Sequence, residues 1–152
     1  MIYVQAAART DNPANACLEL VEAGIVRLYL SRETLAEIED VLSRTQLRNR
    51  FETLTDEKVE AFLDDIKRKA EILKNVPPVF RYSRDPKDEK YINLAAEVKA
   101  DYIVTRDNDL LDLMTGIDVE SKEFRQRFRP LQIVKLLEFL RIVREKDLSL
   151  KP

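Results

Sequence analysis

Apolar residues return every three or four positions over residues 14–22, where Ala14, Cys17, Leu18 and Val21 share a face, and this spacing predicts a helix stopped by Gly24. The same period predicts a helix from Ser31, its N-cap, to about Arg44, burying Leu35, Ile38, Val41 and Leu42. A third helix, capped by Thr55, is predicted over about 56–74 with Val59, Phe62, Ile66 and Leu73 inward, ended by Asn75-Val76-Pro77-Pro78. A fourth starts at Asp88 and runs to about Lys99 with Tyr91, Ile92, Ala95 and Val98 on one side. Two short apolar runs, 25–30 and 101–105, read as strands, and Val79-Phe80 as a shorter one. Thr10-Asp11-Asn12-Pro13 is turn chemistry, 48–54 an irregular connector, and 83–88 a loop. A short helix is predicted after Asp109 through Met114, and a last helix over about 131–145, opened by Pro130. Residues 2–8 are too short to assign by period and suit the tail of a helix. Strands alternating with helices predict an α/β domain with a mostly parallel sheet.

The chain has 152 residues, 45% of them hydrophobic, which suits one domain with a real core. It has no histidine and one cysteine, Cys17. That excludes a histidine general base, a Ser-His-Asp or Cys-His nucleophile, histidine-ligated zinc, an internal disulfide and a cysteine-rich metal site. Catalysis has to run on carboxylates, Lys/Arg, Ser/Thr or Tyr, and carboxylates are in surplus. The net charge of −2 hides a segregation. Lys122, Arg125, Arg127, Arg129, Lys135, Arg141, Arg144, Lys146 and Lys151 face only Glu123, Glu138, Glu145 and Asp147 in the last part of the chain, and further basic runs are Arg44, Arg48, Arg50 and Lys67-Arg68-Lys69. Such runs are commonly solvated helix faces, but they also suit a polyanion. No run of residues is apolar enough for a membrane span, and the first nine residues do not read as a signal peptide, so the expected location is cytoplasmic.

Acidic residues gather where elements begin. Glu37 lies in the second turn after strand 25–30, Asp88 opens a helix with Asp85 and Glu89 beside it, and Asp107 and Asp109 directly follow strand 101–105. Each alone suits helix capping or solvation. Together they fall beyond the carboxyl ends of strands, where ligands bind in open α/β sheets. Clustered carboxylates repel unless a cation neutralises them, and the natural partner is a hard divalent ion, Mg²⁺ or Mn²⁺.

Three segments carry a resemblance: Ser31-Arg32-Glu33-Thr34-Leu35-Ala36-Glu37, Arg84-Asp85-Pro86-Lys87-Asp88-Glu89, and Ala100-Asp101-Tyr102-Ile103-Val104-Thr105-Arg106-Asp107-Asn108-Asp109. The chain resembles the PIN-domain family, in particular its branch of toxins from toxin–antitoxin pairs, over about 2–113 and the final helix. The resemblance implies a three-layer α/β/α sandwich formed by 1–152 as one domain, and an endoribonuclease dependent on Mg²⁺ or Mn²⁺. It makes Glu37, Asp88 and Asp107 catalytic and metal-holding acids, with Asp109 a further ligand and Thr105, Asp85 and Glu89 auxiliary. Arg106, Arg127 and Arg129 would contact the RNA backbone. A cognate antitoxin and a homodimer are implied as partners. The family opens with a central strand ending in an Asp-x-Asn pattern, whereas Ile2-Tyr3-Val4-Gln5-Ala6-Ala7 resembles the family's segment just after that aspartate. The resemblance therefore implies a chain truncated before this point, lacking the strand and its acid, that binds RNA with strongly reduced cleavage. The alternative is a nuclease-dead PIN module that binds RNA or an antitoxin. A phospho-accepting signalling domain fits less well, because no paired acids come after a first strand.

Overall fold

The spacing that predicts a helix over 14–22 produces α2, Pro13–Glu22, in the computed structural model, which describes residues 2–8 and 11–150, with side chains to 147. Thr10 of the expected turn and Lys151 of the basic run lie outside the described residues. The fold is mixed α/β, mostly helical, with short parallel sheets, consistent with a PIN-like α/β/α architecture. By contacts the chain divides into two units, 1–76 and 77–152.

In the first unit, α1 (Ile2–Ala8) precedes α2, whose N-cap Asn12 accepts the Asn15 N–H at 3.0 Å. Gly24, at φ +77°, turns the chain after α2 in the left-handed region where a side chain is disfavoured. Strand β1 is Leu28–Ser31, so residues 25–27 of the expected strand form the turn leading into it. Ser31 ends β1 and caps α3, Arg32–Ser43. Its Oγ accepts the Thr34 N–H at 3.0 Å while the Thr34 hydroxyl accepts the Ser31 N–H at 2.8 Å, which satisfies two otherwise orphaned donors. The connector expected over 48–54 holds a short helix, α4 (Thr45–Arg50). Its Arg48 donates to the Leu42 carbonyl at 2.7 Å and pairs with Asp56 at 2.6 Å, so this member of a basic run braces the fold.

The long helix expected over 56–74 ends early. α5 is Asp56–Lys69, and 70–73 form β2, parallel to β1 in the register Leu28↔Ala70 to Ser31↔Leu73. The spacing of Leu73 fits either state, and the open edge of β1 decides it by offering ladder partners. The core of this unit is Val4, Leu30, Ile38, Val41, Leu42, Leu54, Val59 and Ile66.

In the second unit, Val79 and Phe80 form no strand. Their N–H groups instead donate to the side-chain oxygen of Asn93, at 3.1 and 2.9 Å. A 3₁₀ turn, Pro86–Asp88, leads into α6, Glu89–Val98, which Lys99 closes in the left-handed conformation. β3 is Tyr102–Val104, followed by α7 (Asn108–Leu111) and a 3₁₀ turn at Asp112–Met114. Between Met114 and Pro130, where the sequence pattern predicts no element, lies α8, Val119–Arg127. Pro130 does not open a helix: it leads into β4, Gln132–Val134, parallel to β3 in the register Tyr102↔Gln132 to Val104↔Val134, and only then comes α9, Leu136–Leu150. Phe80, Tyr82, Ile92, Ile103, Leu110, Leu113, Phe124 and Ile133 form the core, with Phe124 and Phe128 both edge-on to Phe80. α9 buries Leu136, Phe139 and Val143, and its Phe139 meets Tyr102 edge-on at 5.4 Å. Among the described residues the strands form two parallel pairs rather than one continuous sheet.

Candidate metal centre

The loop leaving β3 is built from nested hydroxyl and carboxylate turns. The Thr105 N–H extends the ladder to the Val134 carbonyl at 3.0 Å. Its hydroxyl then accepts the Asp107 N–H at 3.0 Å, and Asp107 Oδ1 accepts the Asp109 N–H at 2.9 Å, which makes Asp107 the N-cap of α7. These bonds fix the backbone on both sides of Asp107 and leave its second oxygen for other work. A second acidic loop precedes α6. Asp85 Oδ1 accepts the Lys87 N–H at 3.2 Å, and the Asp85 carbonyl accepts the Asp88 N–H at 3.0 Å.

Hydrogen bonds join the two loops. The buried Tyr82 hydroxyl donates to the Asp109 carbonyl at 2.5 Å, and the Tyr82 N–H donates to Glu89 Oε1 at 2.9 Å. Ser83 donates from its N–H and its hydroxyl to the Glu120 carboxylate of α8, the latter at 2.7 Å. The region behind them is equally fixed. Arg125 spans the Leu113 and Gly116 carbonyls at 2.7 Å each, and a Cβ on Gly116 would press on the Ser121 hydroxyl and stand 2.9 Å from the Asp112 carbonyl, so a larger residue there forces its neighbours to shift.

One carboxylate oxygen each from Asp85, Asp107 and Asp109 lies within 4.8 Å of the others. Asp88 sits against this cluster with only 7% of its surface exposed, and its Oδ2 is buried without a hydrogen-bond donor among the described residues. Burial first, then hydrogen bonding to Asp107 and the negative charges of Asp107 and Asp85, push the Asp88 carboxyl up to about 8. In the absence of a cation the Asp88 carboxyl thus keeps its own proton near neutral pH. The donors fit a hard divalent ion: all are carboxylate oxygens, and ligands at roughly 2.0–2.6 Å on opposite sides of one ion stand roughly 4–5 Å apart.

Of the residues singled out in the sequence, Asp85, Asp88, Asp107 and Asp109 therefore meet in the second unit, with Thr105 shaping the Asp107 turn. Glu89 faces the Tyr82 amide. Glu37 stands on α3 in the first unit, half buried, one turn beyond the Ser31–Thr34 cap. Arg106 is exposed beside Asp107. Arg127 pairs with Glu123 at 3.3 Å and lies over the Phe128 ring, and Arg129 donates to the Arg125 carbonyl at 3.2 Å. Sequence reasoning passed over Arg84, which pairs through Nε with Asp109 and through Nη2 with Asp112, each at 2.9 Å, and over Glu120, the acceptor for Ser83. The spacing of Asp109 and Asp112, three apart on a turn of helix, was the available signal for a shared cation.

A model of the PIN domain matches residues 2–109, more than half of the chain. The chain belongs to the PIN-domain family. Neither the curated proteins nor the solved structures give a match. Membership points to a hydrolase-type enzyme, a nuclease, and such domains typically use divalent metals. Within this PIN domain the matched span contains Glu37, Arg84, Asp85, Asp88, Thr105, Asp107 and Asp109, whereas Arg127 and Arg129 lie beyond it. Among the described residues no helix is long and apolar enough to cross a membrane.

Proposed function

We propose that this PIN domain is an Mg²⁺- or Mn²⁺-dependent endoribonuclease, acting in the cytoplasm as the toxin component of a toxin–antitoxin pair. The observation that carries the nuclease reading is the convergence of the Asp85, Asp107 and Asp109 oxygens beside a buried Asp88 oxygen that no donor among the described residues satisfies. An orphaned buried acceptor amid like charges is unfavourable, and a cation relieves both problems together. The RNA substrate, the antitoxin and a homodimeric state are supported by family resemblance.

Asp85, Asp107 and Asp109 would hold the ion, with Asp88 supporting them once its proton leaves. When bound, such an ion supplies a water of lowered pKa and neutralises charge building on the phosphate. Hydrolysis of a phosphodiester would join a water oxygen to phosphorus, break the bond to the leaving oxygen and return the water's proton to that oxygen. The chain's part is to hold the acids in place before substrate arrives. Thr105 Oγ1 and the Asp107–Asp109 turn do this on one loop, and the Asp85 turn on the other. The exposed Arg106, Arg127 and Arg129 would meet backbone phosphates, which makes RNA binding salt-sensitive and weakly selective. Glu37 joins the acid set by family resemblance.

Incubating the 152-residue protein with single-stranded RNA in Mg²⁺, Mn²⁺ or chelator tests the reading. Cleavage that needs the cation and vanishes in Asp107→Asn is expected. Cation-dependent RNA binding with no cleavage would establish the nuclease-dead module instead.

A further inference from the structure

Arg84 is a basic side chain in direct ionic contact with the acid cluster. Its Nε stands 2.9 Å from Asp109 Oδ1 and its Nη2 2.9 Å from Asp112 Oδ2. The backbone beneath it is pinned on both sides. Tyr82 and Ser83 are tied to Asp109 and Glu120, and Asp85 caps the next turn. The Arg84 side chain is half exposed, at 52%. A rigid stem thus carries a movable cationic head beside oxygens suited to a metal.

We propose that Arg84 is a phosphate-binding side chain of this site, resting on Asp109 and Asp112 until a divalent cation takes Asp109. The inference builds on the nuclease reading above and assigns it a substrate contact. A cation on Asp109 consumes the negative charge that holds Nε, and guanidinium and cation repel each other. Ion pairs this exposed are weak, so the exchange meets little resistance. Asp112, at the other end of the fork, keeps Arg84 close. The freed N–H groups would be available to a phosphodiester oxygen, an acceptor whose geometry suits a guanidinium fork. Arg84 therefore opposes cation binding in the free protein and favours RNA binding in the loaded one. A residue that merely holds the fold would push both in the same direction.

The test titrates Mn²⁺ alone into the full chain, followed by electron paramagnetic resonance of the free ion, and separately measures anisotropy of a fluorescein-labelled oligouridine with Ca²⁺ in place of Mn²⁺. Arg84→Gln is expected to bind Mn²⁺ about threefold to tenfold more tightly and the RNA about threefold to tenfold more weakly, scales typical of one exposed ion pair and one phosphate contact. Arg84→Lys, which keeps the charge, should return both values toward those of the native protein. If Arg84→Gln leaves Mn²⁺ affinity unchanged or lowers it, or leaves RNA affinity unchanged, while Asp107→Asn still loses Mn²⁺, the role of Arg84 is overturned and the cation site stands. If Asp107→Asn binds Mn²⁺ as well as the native chain, the cation site itself falls, and this role with it.

Discussion

The two units share a plan and differ in how they finish it. Each pairs two parallel strands, and in each the first strand runs almost directly into a helix. In the first unit that junction is neutral. Ser31 and Thr34 exchange hydrogen bonds through hydroxyls and amides, and both residues are buried and satisfied. In the second unit the same kind of junction, from β3 to α7, is made with Thr105, Asp107 and Asp109, and a second acidic loop lies against it. A hydroxyl cap satisfies the backbone and leaves nothing over. A carboxylate cap satisfies the backbone and leaves an oxygen and a charge available. Gathering four acids in one place raises the repulsion among them and offers oxygens that suit a hard cation. The two junctions thus differ in what they leave over, although the local backbone problem is the same.

The sharpest way to break this comparison is Asp107→Asn. Asparagine caps a helix about as well as aspartate, so the α7 junction should survive while the charge is lost. Cation-dependent RNA cleavage is expected to fall at least ~100-fold, the scale of ~3 kcal/mol in the transition state, with the urea midpoint unchanged or higher. Equal activity would mean that the acids of the second unit are only caps.

Next is an ionisable group that the first unit partly buries. Burial on α2 pushes the Cys17 thiol up from 9.0 to about 11. At a pH below 9 the folded protein should therefore react with iodoacetamide about 100-fold more slowly than the urea-unfolded chain, since only the thiolate reacts. Because the folded value is the raised one, Cys17 makes stability decline as pH climbs from 9 toward 11, with no effect below that window. Equal labelling rates would show that the first unit does not shelter its titratable group.

Ser31→Ala removes the neutral cap and should destabilise the protein by about 1 kcal/mol in urea titration, leaving Mn²⁺ affinity untouched. A loss of metal affinity equal to that of an acid variant would erase the division of labour. The smallest change is expected in the opposite direction. Asp88→Asn removes a carboxylate that has no donor for Oδ2, and in chelator it should stabilise the protein by roughly 0.5–1 kcal/mol while weakening Mn²⁺ binding. Scanning calorimetry with and without Mn²⁺ reads both signs.

Much of this arrangement was legible in the residues. α2, α3, α6 and β3 come from period and caps, because each has a clear apolar face or a short apolar run with turn chemistry at its ends. The acids after β3 and before α6 were legible as well, since their places at element boundaries already put them at the rim of a sheet. What escaped depends on partners far along the chain. Residues 70–73 fit a helix until β1 supplies a ladder, and 132–134 fit a helix behind Pro130 until β3 does. Val79 and Phe80 look like a strand and find Asn93 instead. The grouping of Asp85 with Asp107 and Asp109, the burial of Asp88 and the fork of Arg84 are also tertiary facts that no local pattern encodes.

The Asn93 amide has a further consequence, in how motion passes through the second unit. One side-chain oxygen receives both N–H groups of the incoming segment. A ladder spreads such restraint over many bonds and frays from its ends, whereas a two-bond clasp at one atom opens all at once. Residues 79–80 are therefore leashed to the middle of α6, the helix whose first turn comes directly after Asp88. Excursions of that helix carry the strand-like segment with it, and through Tyr82 and Ser83 the tether continues to Arg84 and Asp85. Fluctuations of α6 are therefore expected to reach both acidic loops together, loosening or tightening the centre as one body rather than one carboxylate at a time.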